Sequence, residues 1–155
     1  MSAYAGRTTA VSFVKAKASD NIKTLAELGA YSWSYIGALR GKEHDSSWTT
    51  ADATTADSPD YTKESIVTFK EETYKADGVA RDEEIYNVKT LRKAIRKPDA
   101  VAQGGEPYFW LKVVDPVFGT EYLFVQGTKC TITSAHDDVI KFSTEFTIMN
   151  SVDAE

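Results

Sequence analysis

Apolar and polar residues alternate with a period of two between residues 138 and 149. This period is the signature of an extended strand with one face in a core and the other in water. At roughly 3.3 Å per residue, the strand is expected to be about 40 Å long, twice the usual length. Its apolar face carries Ile140, Phe142, Phe146 and Ile148, and its polar face carries Lys141, Ser143, Glu145 and Thr147.

A second long strand is predicted from residue 61 to residue 75. Its alternation assigns Ser65, Val67 and Phe69 to one face, and Ile66 interrupts the opposite, charged face once. Because a shift of one residue exchanges the two faces of a strand, Ile66 leaves the register of this strand open. The charged face carries Glu64, Thr68, Lys70 and Glu72.

The rest of the pattern is also mostly β. In the segment 31–37, Tyr31, Trp33 and Tyr35 share one face, which favours cross-strand packing over a base-stacking or sugar-binding platform. Gln126 and Gly127 break an otherwise extended run by a turn or a bulge. Further strands are predicted at residues 9–17, 108–114, 122–125 and 128–133.

One central helix is predicted at about residues 82–97. Asp82 is placed to cap its N-terminus, basic residues gather near its C-terminus, and Pro98 ends it. The basic residues match the helix dipole, so a solvated helix face is favoured over a nucleic-acid patch. One apolar stripe is expected to pack on the sheet and consists of Ile85, Val88, Leu91 and Ile95.

Residues 42–60 show no periodicity and are rich in Ser, Thr, Asp and Ala. Such a composition buries too little apolar surface to order itself alone. The segment is therefore predicted to be a long polar loop, either ordered by contact with another subunit or flexible.

Length and charge restrict the class of protein. With 155 residues, 42% of them hydrophobic, the chain fits a single domain, 1–155, with one core. The formal charge of -5 argues against strong electrostatic binding of nucleic acid but allows DNA to pass without being bound.

The single cysteine, Cys130, excludes an internal disulfide. No apolar run is long enough for a membrane span, and the first residues do not resemble a signal peptide.

Catalytic groups are scarce. His44 and His136 are the two histidines, and neither has further ligands at metal-binding spacing. Cys130 lies within a predicted strand, without a basic helper nearby in sequence, and is interpreted as structural. Acid pairs such as Glu71 with Glu72 are adjacent in a strand and point to opposite faces, which does not suit a glycosidase. We therefore expect no catalytic residues, no metal site, no cofactor and no enzyme activity.

Long strands in so small a chain leave open sheet edges, which invite aggregation unless a neighbour pairs with them. Continuation of the sheet from subunit to subunit would remove these edges. A ring of such sheets would close into a barrel with a polar inner face.

The order of these segments carries a resemblance from about residue 8 to residue 150. It rests on Trp33 to Gly41 (WSYIGALRG), the loop leading to Ser58-Pro59, the region 64–75, Asp77-Gly78-Val79 before the helix, and two antiparallel strands within 127–149. In this order the chain resembles the major tail tube protein of long-tailed, siphovirus-like bacteriophages.

In that family six subunits form a ring, and rings stack into a tube. The resemblance implies a mainly β fold: an antiparallel β-sandwich or barrel with one central α-helix, and long hairpins that join a ring-wide inner β-barrel. It implies a virion tail protein assembled in the host cytoplasm. The implied partners are copies of itself and the tape-measure, tail-tip and tail-terminator proteins, with genomic DNA passing through the lumen without specific binding and with no membrane contact.

Carried over to this sequence, the resemblance assigns three sets of residues. The implied lumen lining is Glu64, Thr68, Lys70, Glu72, Lys141, Ser143, Glu145 and Thr147. The implied core of the hairpins is Val67, Phe69, Ile140, Phe142, Phe146 and Ile148. The implied ring-stacking loop contains Trp48, Asp52, Asp57 and Pro59.

Two alternatives remain open from the sequence. One is the tube protein of a contractile injection machine or a type VI secretion-like machine, which shares the ring architecture. The other is a monomeric β-barrel that binds a small ligand, with the aromatic segment 31–35 facing a cavity.

Overall fold

A computed structural model of the chain describes residues 10–36, 38–54, 65–80, 88–97 and 107–154. These residues form seven β-strands, two α-helices and a short 3-10 turn. The strands are β1 (Ala10–Ala16), β2 (Ser34–Tyr35), β3 (Ala38–Asp52), β4 (Ser65–Val79), β5 (Tyr108–Asp115), β6 (Gly119–Ser134) and β7 (Ile140–Ala154), and the helices are α1 (Leu25–Gly29) and α2 (Val88–Arg96).

All seven strands belong to one antiparallel sheet in the order β2-β1-β5-β6-β7-β4-β3. The prediction of a mainly β, antiparallel fold is confirmed. Among the described strands the order ends at β2 and β3, so the sheet is not closed into a barrel by the single chain. The barrel that the family resemblance implies is therefore absent from the described strands of the single chain.

The sheet curls where the ladder between the interior strands β6 and β7 is irregular. The ladder between β6 and β7 shifts register between Phe124 and Val125 and again between Gly127 and Lys129. An extra residue in one strand bends that strand and increases its twist. The sequence segments 122–125 and 128–133 are therefore one bent strand, and the break at Gly127 is a bulge.

The curl encloses the main core. Phe109 of β5 makes edge-to-face ring contacts with Phe13 of β1, at 6.0 Å between centroids, and with Phe146 of β7, at 6.2 Å. The buried Tyr74 of β4 belongs to the same cluster. Side chains from β1 and β5 thus meet side chains from β7 and β4, although β6 separates the two pairs in the sheet.

Helix α2 packs directly on the bulge of β6. Val88 and Leu91 are buried, and Ile95 packs against the same core, which confirms the predicted stripe within the described part of the helix. A Cβ atom placed on Gly127 would lie 2.9 Å from Ile95 and 3.1 Å from Phe109. This close approach requires glycine. The proposed cap Asp82, the stripe residue Ile85 and the terminating Pro98 lie outside the described residues.

A second, smaller core covers the outer side of β5 and β6. Leu28 of α1 and Trp110 of β5 are buried there, and the Trp110 indole N–H donates to the backbone oxygen of Asp20 at 2.9 Å. Trp33 makes ring contacts with Tyr31 and Tyr122, at 6.0 and 5.7 Å between centroids. Tyr31 and Trp33 thus pack on the fold, whereas Tyr35, which was predicted to share their face, is exposed. The predicted strand at 31–37 is wrong in extent, since only Ser34–Tyr35 pair with β1.

The prediction of a long polar loop from residue 42 is wrong over residues 42–52, which belong to β3 and pair with β4. The sequence of β3 shows no hydrophobic alternation because, from Glu43 onwards, its residues are exposed in the single chain, apart from the His44 side chain, which is 30% exposed. The backbone hydrogen bonds between β3 and β4 leave no pattern in the side chains. Residues 55–60 lie outside the described part of the chain.

Candidate functional site

One side of the sheet from β6 to β3 is a continuous polar surface, which we call the polar face. Residues that pair directly in an antiparallel ladder point to the same side, so the register defines its members. All of them are exposed or half-buried. The polar face comprises Lys129, Thr131 and Thr133 of β6; Lys141, Ser143, Glu145 and Thr147 of β7; Glu71, Thr73, Lys75 and Asp77 of β4; and Glu43, Asp45 and Ser47 of β3.

The charge of the polar face is mixed and mildly acidic. Three lysines lie among five carboxylates. The ladder places Lys75 opposite Glu145 and also opposite Glu43, so opposite charges face each other across both neighbouring strands. Such a surface is hydrated but offers no concentrated positive charge to phosphates.

The sequence assigned the faces of β4 wrongly. Tyr74 is buried and lies opposite the buried Phe146, which fixes even-numbered positions of this region on the core side. Lys70 and Glu72 share that parity and lie opposite Trp48 and Ser46 of β3, so they are not on the polar face with Lys141. The signal was present in the alternation of residues 73–79, where the apolar Tyr74 and Ala76 separate polar neighbours.

A β-bulge in β4 breaks the alternation between Val67 and Phe69. Phe69 lies opposite Thr49, whereas Val67 lies opposite Thr50, so Thr68 is the extra residue, and its hydroxyl donates to the Thr49 backbone oxygen at 2.9 Å. The bulge therefore places Phe69 on the same side of the sheet as the polar face and Val67 on the opposite side. The prediction that they share one face is wrong.

Val67 and Phe69 also do not belong to a core of the single chain. Their exposed fractions are 61% and 75%, because this part of β4 extends past β7 and pairs only with β3. Ile66 and Trp48, each 56% exposed, lie in the same region. We call this group of four exposed apolar residues the hairpin tip.

The apolar face of β7 is buried only in part. Phe142 and Phe146 are buried in the main core, and Ile148 packs against that core. Ile140 is exposed, because it lies at the first position of β7 beside the turn from β6. The assignment of Ile140 to the core is therefore wrong in the single chain.

The four residues assigned to a ring-stacking loop differ in where they lie. Trp48 and Asp52 lie on β3 and not in a loop, although both are exposed. Asp57 and Pro59 lie outside the described residues, as does Glu64.

The polar face is bounded by two strand edges that lack a partner among the described residues. β3 is the last strand of the sheet, so its outer edge is open over residues 38–52. β5 pairs with β6 only at residues 119–126, which leaves the second half of β6, residues 129–134, paired on the β7 side alone. The four-stranded polar face thus ends in an unpaired edge on each side within the described structure.

A cluster of charged side chains lies on the core side of β3, away from the polar face. His44 Nε2 is 3.1 Å from Glu72 Oε2, and His44 Nδ1 is 3.7 Å from Glu121 Oε2 at the start of β6. Lys70 forms a further ion pair with Glu72. The cluster joins strands that are not neighbours in the sheet.

Burial and these contacts shift two carboxyl groups in opposite directions. Burial acts most strongly on Glu72 and would raise its pKa, but hydrogen bonds from Lys70 and His44 outweigh burial, so the pKa of Glu72 lies below its usual value. Burial raises the pKa of Glu121, and the nearby His44 only partly offsets that rise.

Beside this cluster is a cleft with a volume of about 520 Å³ between β3 and the turn from β5 to β6. It is lined on one side by Lys42 and Tyr74 and on the other by Asp115 and Phe118. Burial lowers the pKa of Lys42, and Asp115 opposes this effect. Burial raises the pKa of Tyr74, as do the neighbouring acidic groups.

Within the described ranges, no group of three or more His, Cys, Asp or Glu residues is arranged to hold a metal ion. Cys130 is half-buried, and burial raises the pKa of its thiol. The described helices include none that is both long and apolar enough to cross a membrane.

Comparisons with known proteins find structural likeness only. No protein-family model matches the sequence, and no curated protein matches it in sequence. A chain from the tail of an empty gene transfer agent (GTA) particle, determined with C6 symmetry, is similar with a TM-score of 0.69 and 15% identity, over 99% of this chain and 100% of that one.

Two further structures share the fold. One is the tail tube of SPP1, with a TM-score of 0.60 and 8% identity over 97% of this chain and 79% of that chain. The other is a chain of the anti-feeding prophage (AFP) baseplate, with a TM-score of 0.59 and 6% identity over 98% of this chain and 95% of that one. The chain therefore has the fold of tail and tail tube proteins.

Proposed function

We propose that the chain is a structural subunit of a phage-like tail tube, in which identical copies form rings that stack around a central channel. The observation that carries this proposal is the polar face bounded by two open strand edges. A curved, hydrated sheet with an edge on each side is suited to joining copies of itself into a closed barrel. The shared fold with a GTA tail chain and with the SPP1 tail tube supports the same role.

In the proposed ring, the outer edge of β3 in one subunit pairs with residues 129–134 of β6 in the next. Both edges border the polar face, so pairing them extends that face without interruption. A ring of six is proposed because the similar GTA tail was determined with C6 symmetry. Four strands from each subunit would then form the wall of the channel.

The polar face is proposed to line the channel. Lys141, Ser143, Glu145 and Thr147 remain in this role, and the register adds Lys75 and Asp77 from β4. Its three lysines and five carboxylates give a surface with no net attraction for phosphates. DNA is therefore expected to move through the channel without being held.

The hairpin tip is proposed to take part in ring stacking. At about 3.3 Å per residue, the fifteen-residue strand β4 spans roughly 50 Å. Its two ends therefore carry different surfaces: the tip lies at one end, and the exposed Val139 and Ile140 lie at the other. Subunits arranged head to tail would bring these two apolar surfaces together and remove them from water.

The proposed role is structural and not catalytic, and the proposed location is the tail of a virion. Assembly in the host cytoplasm, and contact with tape-measure, tail-tip and tail-terminator proteins, belong to the same proposal. The likeness to a chain of the AFP baseplate supports the second candidate, a tube subunit of a contractile injection machine. The likeness is weaker in TM-score and identity than that to the GTA tail chain.

Negative-stain electron microscopy of the purified protein at high and low concentration, with light scattering on the same samples, tests the proposal. Rings or tubes with a stain-filled channel are the expected result. A protein that stays monomeric at high concentration, and also when tail-tip components are added, would overturn it. Binding of a small ligand would then be the function to test.

A further inference from the structure

His44 lies where the edge strand β3 comes close to the start of the interior strand β6. It belongs to β3, which is three strands away from β6 in the sheet order. Its Nδ1 atom is nevertheless 3.7 Å from Glu121 of β6, while Nε2 is 3.1 Å from Glu72 of the adjacent strand β4. The His44 side chain therefore links the hairpin of β3 and β4 at the sheet edge to the interior strand β6.

The surroundings of His44 favour a hydrogen-bond donor or a cation at this position. Its side chain and those of both carboxylates are at least two-thirds buried, so the contacts are screened less than those of fully exposed pairs. The other charged or titratable groups that line the same cleft or act on these carboxylates are Arg40, Lys42 and Glu43 of β3, Lys70 and Tyr74 of β4, Asp115 of β5, and Asp153 of β7, which lies opposite Glu121.

We propose that His44 is a positioning residue for assembly, because its contacts with Glu72 and Glu121 fix how far β3 curls over the core. The position of β3 sets where its open edge lies. A strand ladder requires backbones about 4.8 Å apart and in register, so a displaced edge cannot pair with a neighbouring subunit. The effect on assembly rests on the proposed tube function, whereas the contact itself is a property of the single chain.

Histidine suits this task because its ring carries nitrogen atoms on two sides. The imidazole can therefore contact carboxylates that belong to different strands. Leucine at this position offers no donor, whereas lysine offers N–H donors to Glu72 and Glu121. This pair of substitutions separates the polar contact from side-chain volume.

The first test measures the curl in the monomer. Spin labels on cysteines that replace Ser47 of β3 and Val117 of the turn between β5 and β6, both exposed, report the distance across the cleft in a Cys130→Ser background. The measurement is made at a concentration at which light scattering shows monomers. We expect a single narrow distance distribution, a longer and broader one for His44→Leu, and recovery of the narrow one for His44→Lys.

His136→Leu is the matched control, because His136 lies in the turn between β6 and β7 and its side chain is 98% exposed. It is expected to leave the distance unchanged. Glu121→Gln, which preserves the shape of the side chain, provides a second route if His44→Leu does not fold, and it is expected to broaden the distribution. Distances that are the same in His44→Leu, Glu121→Gln and the unsubstituted protein would overturn the proposal.

The second test measures the concentration at which tubes form. We expect His44→Leu to raise this concentration about fivefold, the scale of a partly exposed polar contact, and His44→Lys to restore it. A broadened distance with unchanged tube formation would overturn the positioning role. If the unsubstituted protein forms no tubes at all, the proposed function fails, while the distance measurement still decides whether His44 holds β3.

Discussion

Lys75 of β4 lies directly opposite Glu145 of β7, and both side chains lie on the polar face of the sheet. Opposed charges on neighbouring strands stabilise a sheet modestly, and like charges directly opposite destabilise it. We expect Lys75→Glu to lower the free energy of unfolding by about 0.5–1 kcal/mol, measured by urea denaturation of the monomer.

The double variant Lys75→Glu with Glu145→Lys is the control for this pair, because it restores opposite charges between these two positions. Residue 75 also lies opposite Glu43 and residue 145 opposite Lys129, so the double variant is expected to lose less stability than the sum of the two single losses. If the effects of the two single changes simply add, the two side chains do not interact, and the register of β4 against β7 needs revision.

The buried Phe146 and the exposed Phe69 should respond very differently to truncation. Phe146 is 0% exposed and contacts the ring of Phe109, so Phe146→Ala is expected to cost about 3–5 kcal/mol of folding stability. Phe69 lies at the hairpin tip, and Phe69→Ala is expected to change monomer stability by less than about 0.5 kcal/mol.

Chemical denaturation measures both variants, and electron microscopy of Phe69→Ala then tests the tip. The proposed stacking predicts that this variant folds but forms fewer or shorter tubes. A variant that folds and assembles like the unsubstituted protein would show that Phe69 does not contribute to stacking.

The sequence alone predicted the β class, the extended strand β7 and the apolar stripe of α2. These elements each bury one face against the core, so their side chains carry the period of the structure. Phe142 and Phe146 show this: both were placed in the core from alternation, and both are buried.

The sequences of β3, and of β4 around Thr68, could not be read in the same way. From Glu43 onwards the residues of β3 are exposed, apart from the partly buried His44 side chain, so no hydrophobic period marks the strand. In β4, the bulge at Thr68 shifts the alternation by one residue, and the tip beyond it exposes Val67 and Phe69. In the proposed rings, Val67 and Phe69 become buried between chains. The sequence of one chain does not show how strands of different chains pair, so it could not predict this burial.

Gly127 is required where α2 crosses the bulge of β6. A Cβ atom there would lie 2.9 Å from Ile95 and 3.1 Å from Phe109, closer than van der Waals contact allows. Gly127→Val adds two further methyl groups and is expected to lower stability by about 1–3 kcal/mol through overpacking, measured by thermal and urea unfolding.

Gly29 at the end of α1 is the matched control, since an added Cβ atom would meet nothing within 4 Å. Gly29→Ala is expected to be neutral or to stabilise by about 0.5 kcal/mol, because alanine loses less backbone entropy than glycine. Equal losses in the two variants would show that α2 does not press on the bulge.

Glu72 should contribute to the acid sensitivity of the fold. Its pKa in the folded protein is below its usual value: burial opposes this shift, but the hydrogen bonds from Lys70 and His44 outweigh burial. A depressed folded pKa stabilises the fold above the unfolded pKa, and this contribution disappears as the pH falls through the folded pKa. Urea unfolding between pH 7 and about pH 3 measures it.

We expect Glu72→Gln to be less stable than the unsubstituted protein at pH 7 and to lose less stability on acidification. Glu71→Gln is the control, because Glu71 lies on the opposite side of β4, away from Lys70 and His44. Parallel pH curves for the unsubstituted protein and Glu72→Gln would contradict the assigned cause.

Cysteine cross-linking decides whether β3 meets β6 of a neighbouring subunit. In a Cys130→Ser background, Thr131→Cys on the open edge of β6 is combined in turn with cysteines that replace Asp45, Ser47 and Thr49 on β3. Disulfides form only when Cα atoms approach to about 4.4–6.8 Å. At least one combination is therefore expected to give a ladder of disulfide-linked oligomers ending at six, read on a non-reducing gel.

Replacing Thr131→Cys by Lys75→Cys, which lies in an interior strand of the polar face, should abolish the ladder, because β3 and β7 of its own chain already flank that strand. A ladder with Lys75→Cys and none with Thr131→Cys would mean that copies meet face to face, and the polar face could not then line a channel.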